Sequence, residues 1–249
     1  MAAALSNRST GYLVAILIHI IALSCYAYGY YIDSFINQYM TETDTAWKRR
    51  MSWGGKKKFL TFWNLNFQTF YFGLCCLIDL IEAFSKRRTV PRKLCSFRDW
   101  FLAAIAFPFG LVVVIMFWAI YAVDRELVFP ARLDDIFPSW LNHVMHTTVL
   151  PFLLLEFYFV RHRYPSRKNG IFGTLFVGLS YLFWLLYLGF VMDIWVYGFL
   201  KVLSGAYFVL FFVGNALLLL VFYLAGEKLN AVCWGSPGVD LDIEMEKVD

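Results

Sequence analysis

Charge is what this chain has least of. Lys, Arg, Asp and Glu make up 16% of its 249 residues, where a soluble globular chain carries roughly 25%. With 60% hydrophobic residues and a mean hydropathy of +0.60, that deficit excludes an ordinary water-soluble domain. Cysteine is scarce too: Cys25, Cys75, Cys76, Cys95 and Cys233 are odd in number, and their spacings match no zinc template. Cys25, Cys75 and Cys76 fall in apolar runs and are expected to pack as small apolar residues. Cys95 and Cys233 fall just outside such runs, where palmitoylation is an option. No repeat or low-complexity tract divides the chain, so residues 1–249 read as one domain with a short polar tail at 231–249. The first apolar run, Tyr12 to Tyr31, is longer than the roughly 15 residues of a signal core and reads as a membrane span. The Gly-x-Ser-x-Gly elbow of common lipases and the His-Glu-x-x-His of zinc proteases are missing. So are the arginine-rich sensor and the filter sequence of a channel.

What is there alternates long apolar runs with short basic ones, and 20% of the residues are aromatic, as expected where Trp and Tyr crowd the membrane interfaces. The pattern predicts an all-α bundle of six transmembrane helices at 11–32, 58–83, 98–121, 139–160, 170–190 and 203–225, each near the roughly 20 residues a bilayer needs. Pro108 and Pro151 fall inside the third and fourth spans, and a kink is expected at Pro151. The net charge of +4 does not indicate nucleic acid. Lys56-Lys57-Lys58 and Lys86-Arg87-Arg88 each abut a span, where phospholipid headgroups are the natural partners. Most of the Lys and Arg on alternate loops place both termini in the cytosol, against the vote of the first loop with Lys48, Arg49, Arg50 and Lys56 to Lys58. On a cytosolic terminus the Asn7-Arg8-Ser9 sequon would go unused. The expected setting is the plasma membrane or the endoplasmic reticulum.

Strongly polar residues at membrane depth are costly, so each one is a functional candidate. In the second span Thr61, Asn64 and Gln68 share a helical face that Cys75 and Asp79 continue. In the fourth, Asn142, His143 and His146 cluster on adjoining turns, with Glu156 deeper in. Spans two and four run in the same direction, so their starts emerge on one membrane face. Thr61 lies about one turn in and His146 about two, a depth difference of roughly 5–8 Å. The third span ends on that face and brings Asp124, Arg125 and Glu126 to the same level. A threonine beside a histidine can perform nucleophilic acyl transfer, the imidazole removing the hydroxyl proton. A membrane threonine equally serves helix–helix hydrogen bonding. The pair His143-x-x-His146 is a potential metal holder with no obvious third ligand apart from Glu156 or the distant His19, and a structural histidine is the alternative for either. No metal or cofactor is expected, and chelators should leave activity unchanged.

The chain resembles the androgen-induced protein family, which includes the androgen-dependent regulator of tissue factor pathway inhibitor. The resemblance covers about residues 47–234. It rests on Lys58 to Phe62 (KFLTF), Arg98-Asp99-Trp100 with Ala106-Phe107-Pro108, Tyr121 to Pro130 (YAVDRELVFP) and Pro138 to Pro151 (PSWLNHVMHTTVLP). Tyr164-Pro165-Ser166, Trp195-Val196-Tyr197 and Leu224 to Asn230 (LAGEKLN) extend it. His146 to Pro151 (HTTVLP) leans toward the androgen-induced branch, while Gly198 stands where the family usually has proline. The resemblance implies a six-span threonine hydrolase of fatty acid esters of hydroxy fatty acids, with the nucleophile at Thr61 and the catalytic histidine at His146. On that reading Asn64 is an oxyanion donor, Arg125 a clamp for the substrate's free carboxylate, and His143 a supporting residue. Arg125 has a plainer reading as an interfacial partner of Asp124 or Glu126. The expected partners are a lipid ester substrate and membrane lipids, with no nucleic acid. The rival class is a non-enzymatic membrane regulator or a channel-like bundle.

Overall fold

The computed structural model describes residues 2–51, 53–84, 90–203 and 205–235, with side chains from Thr10 onward apart from Ala46, Arg49 and Arg50. Lys86, Arg87 and Arg88, the side chains of Asn7, Arg8 and Ser9, and most of the polar tail lie outside the described residues. All regular elements among the described residues are helical. Among the described residues five helices are long and apolar enough to cross a membrane: α1 (Ala2–Thr43), α2 (Leu60–Phe84), α3 (Arg92–Val123), α6 (Arg167–Val191) and α7 (Gly205–Trp234). The expected fourth span is present as two pieces, α4 (Ser139–His146) and α5 (Val149–Phe159). Together they cover 139–159, about 30 Å at 1.5 Å per residue, close to a hydrocarbon core.

The break has a local cause. Pro151 has no N–H to donate to the carbonyl four residues back, and its ring collides with that carbonyl, which belongs to Thr147. The helix therefore closes at His146, with Thr147 and Thr148 both bonding back to the His143 carbonyl. The carbonyl of His146 loses its helical partner and accepts from the Trp118 indole at 2.9 Å instead. A proline effect also reshapes α3, where a π-turn at Leu102–Ala106 precedes Pro108. The carbonyls disturbed there are satisfied from neighbouring helices: Thr174 donates to Ala104 O at 2.8 Å and Gln68 to Ala106 O at 2.8 Å. This is how a membrane bundle tolerates an interior proline.

α3 is the centre of the bundle, with every residue from Phe101 to Val114 buried. α2, α5, α6 and α7 pack against it, α1 packs on α2, α4 and α5, and α7 turns a broad apolar face outward. α1 runs well past the expected end at residue 32, because no proline or glycine interrupts Asp33 to Thr43 and polar side chains there support the helix. Gln38 donates to Glu42, and Thr41 to the Asn37 carbonyl. The first loop folds back on this extension through a short helix, Thr45–Met51, whose Trp47 packs on Phe137 and donates to Asn37 at 3.2 Å. Lys56 is paired with Asp33 and Lys58 is buried. This loop's basic residues are thus partly committed to the fold, which is why they read against the charge pattern of the other loops.

Candidate active site

The sequence places Thr61 and His146 near one membrane face with roughly 5–8 Å between their depths; the fold brings them into contact. Thr61 stands in the first turn of α2, and its Oγ1 lies 3.1 Å from His146 Nε2, the last residue of α4. The other ring nitrogen fixes which atom holds the proton. His146 Nδ1 lies 2.8 Å from Asn142 Oδ1 and 3.0 Å from the Asn142 carbonyl. Both are acceptors, so Nδ1 carries the hydrogen and Nε2 presents its lone pair to the threonine hydroxyl. The ring plane is held as well: Phe117 of α3 stacks on it with centroids 3.6 Å apart and planes 10° from parallel. Three helices thus position one imidazole.

The pair opens into a cavity of about 290 Å³. Its walls are mostly apolar, from Val112, Val113 and Met116 of α3 to Gly178 and Leu182 of α6 and Leu219 of α7. Polar groups gather at the α2 end: Thr61, His146, Asn142, Tyr181 and Tyr197. Asp33 and Lys56 are the charged side chains among the described residues that line it. Burial pulls the Lys56 ammonium below the usual lysine range, and the Asp33 carboxylate opposes that shift. Tyr197 accepts from the Leu60 N–H at 3.4 Å, beside the threonine, and lies 3.4 Å from the Tyr181 hydroxyl. Tyr181 spends its own proton on the Lys58 carbonyl at 3.0 Å.

Three expected participants sit elsewhere. Asn64 is fully buried and accepts from Gln68 at 2.9 Å, so the two amides form a packed pair off the cavity wall. Three residues fall about 60° short of a full turn, and that offset is enough to turn Asn64 from the face that Thr61 presents to the cavity toward Gln68. His143 is exposed, bonds Thr147 Oγ1 at 2.9 Å and stacks on Trp118, because three residues leave it about 60° around the helix from His146, on the exposed edge of α4. Arg125 binds Asp134 at 2.7 Å and the Phe129 carbonyl at 3.2 Å, outside the cavity lining. Its partner is therefore neither Asp124, which caps the Glu126 N–H, nor Glu126, which accepts from the Ala131 N–H. Sequence reading missed two residues at the site, and gave Asn142, already placed in the cluster with His146, no role. The signal for that role was its spacing, four residues before His146. Tyr197 lay within a quoted motif, and Lys56 was counted only as loop charge.

The fold and site define a class: a polytopic helical membrane protein with a hydrogen-bonded threonine–histidine pair at the head of an apolar cavity. The match to the family model described as FAR-17a/AIG1-like protein spans residues 14–231, and the chain belongs to that family. It is 42% identical over 202 residues to the human androgen-induced gene 1 protein, covering 79% of this chain and 84% of that one. Against the androgen-dependent TFPI-regulating protein of Rattus norvegicus it is 34% identical, covering 88% and 93%. Against the human protein of that name it is 32% identical, covering 87% and 92%. The expected lean toward the androgen-induced branch agrees with these identities. No solved structure matches the chain.

Proposed function

We propose that this protein is a membrane-embedded hydrolase of lipid esters, with Thr61 as nucleophile, His146 as general base and acid, and Asn142 as the group that orients the imidazole. The observation that carries the reading is the 3.1 Å contact between Thr61 Oγ1 and a His146 Nε2 whose lone pair Asn142 has fixed. That is the nucleophile, base and orienting group of triad chemistry, recognised by role and not by order in the chain.

Thr61 gives its proton to His146 Nε2 as Oγ1 attacks the ester carbonyl. The tetrahedral intermediate collapses, the protonated imidazole hands its proton to the departing alkoxide, and the alcohol portion leaves. Water then gives a proton to Nε2, attacks the acyl-threonine, and the carboxylic acid is released as Thr61 regains its hydrogen. The developing oxyanion needs donors near Thr61. The Tyr197 hydroxyl has such a proton to offer, and the positive end of α2 lies alongside.

The substrate class proposed is the fatty acid ester of a hydroxy fatty acid, which the family resemblance implies. The apolar walls suit its two alkyl chains, and Lys56 at the polar end suits its free carboxylate. Arg125, engaged with Asp134 outside the cavity, leaves that role to Lys56. Purified protein should hydrolyse such an ester, and Thr61→Ala should reduce turnover to background without loss of fold. Wild-type rates in Thr61→Ala would remove the nucleophile assignment, and no hydrolysis by the wild-type protein would return it to the rival class, a non-enzymatic membrane regulator or channel-like bundle.

A further inference from the structure

Ten residues beyond His146 on the same span, about 15 Å deeper by helical rise, lies a second polar cluster that the hydrolytic reading does not use. Glu156 of α5 is fully buried. Its Oε2 lies 2.8 Å from Nε2 of His19 on α1, and its Oε1 lies 3.9 Å from Sγ of Cys75 on α2. Nε2 of His162, in the segment after α5, stands 3.3 Å from Oε1 without the geometry of a hydrogen bond, and this buried nitrogen has no other partner. Donor atoms of His19, Cys75 and Glu156 all lie within 4.8 Å of one another.

Both histidines are backed by carboxylates. Asp79 sits 2.6 Å from His19 Nδ1, and Asp99 sits 2.9 Å from His162 Nδ1. A carboxylate on one ring nitrogen draws the hydrogen to that side and leaves a lone pair on the other, the arrangement that metal-binding histidines adopt. Both rings turn their second nitrogen to Glu156, a carboxylate that only accepts and whose Oε1 also takes the Tyr71 hydroxyl proton at 2.6 Å; in the absence of a cation, His19 Nε2 donates a hydrogen to it. Acceptors facing acceptors in a buried site require positive charge among them. Asp79, Asp99 and Glu156 carry three negative charges, and Arg98, bound to Asp99 at 2.7 Å, supplies one positive charge. With neutral imidazoles two negative charges are unmatched, and a Cys75 thiolate makes three, an excess that a divalent cation offsets for the most part.

We propose that His19, His162, Glu156 and Cys75 form a structural divalent-metal site, of the zinc class, in the membrane interior. Two imidazoles, a carboxylate and a thiolate are ligands that zinc accepts, with bonds of about 2.0–2.3 Å and therefore ligand-to-ligand separations of roughly 3.3–3.8 Å. His19, Cys75 and Glu156 already lie within 4.8 Å of one another, and His162, 3.3 Å from Glu156, completes a tetrahedron by moving toward His19 and Cys75. Four protein ligands close the coordination sphere, which is the pattern of a structural site and not of one that activates water. The ion would tie α1, α2 and α5 to the segment that follows, where lipid offers the helices no hydrophobic drive to associate.

The test is metal content. Full-length protein purified in detergent without chelators, judged folded by a monodisperse profile, should carry about one zinc per chain by elemental mass spectrometry. Cys75→Ser and His162→Gln should each retain the profile and lose most of that zinc. Cobalt loaded into the wild type should show a thiolate-to-metal charge-transfer band that disappears in Cys75→Ser. Folded wild type that holds no stoichiometric metal after incubation with zinc would overturn the proposal and make the cluster an ion-pair network with both imidazoles protonated. Metal bound equally by wild type and both variants would overturn it too, as adventitious binding elsewhere.

Discussion

Asn142 stands one helical turn before His146 and offers its Nδ1 two acceptors, the side-chain oxygen at 2.8 Å and the backbone carbonyl at 3.0 Å. The first can be removed by mutation and the second cannot. Asn142→Ala should therefore lower kcat by roughly 10-fold, less than the 10²–10⁴ typical for complete loss of a positioned base, with little change in KM. Asn142→Asp should restore most of the rate, because the carboxylate still accepts from Nδ1–H. Steady-state kinetics on the two variants check this. Equal loss in both would mean that Asn142 serves packing and not orientation.

Lys56 and Asp33 form the charged pair of the cavity lining. If Lys56 holds the substrate's free carboxylate, Lys56→Met should lower kcat/KM for the free acid by about 10-fold, the size of one charge-assisted hydrogen bond. The methyl ester of the same substrate should be processed alike by wild type and variant. A parallel loss on both substrates would show that the substitution acts through the fold, by leaving Asp33 without its ion-pair partner.

Gly178 of α6 lies on the apolar wall, where an added Cβ would stand 3.1 Å from Leu219 and 3.9 Å from Phe109. Gly178→Leu should fill this part of the cavity. The expected outcome is a loss of activity that grows with the length of the acyl chain, short esters being spared. Product analysis on an ester series measures it, and a uniform loss across lengths would place the acyl chain elsewhere.

Much of this arrangement was legible in the sequence, for reasons that can be named. Long apolar runs determine spans wherever a bilayer is the solvent, and a polar stripe such as Thr61, Asn64, Gln68, Cys75 and Asp79 must face inward because lipid cannot solvate it. Chain direction alone set Thr61 and His146 on one membrane face. The same reasoning failed on Asn64, His143 and Arg125, because periodicity gives a residue's face but not the partner that captures it. Gln68, Thr147 and Asp134 are those partners. His162 was passed over because Arg161 and Arg163 on either side made the segment read as loop charge. His19 lay outside the stretch on which the resemblance rested. Their approach to Glu156 depends on contacts 137 and 6 residues away in sequence, separations that no local pattern encodes.

The central claim is that Thr61 becomes covalently acylated. The measurement that reaches it most directly is mass spectrometry of the α2 peptide after rapid acid quench of the enzyme mixed with excess lipid ester, with a fluorophosphonate probe as a second trap. The expected result is an acyl or phosphonyl adduct on Thr61 in the wild type and no adduct in Thr61→Ala. Turnover with an unmodified Thr61, or an adduct that persists in Thr61→Ala, would contradict it.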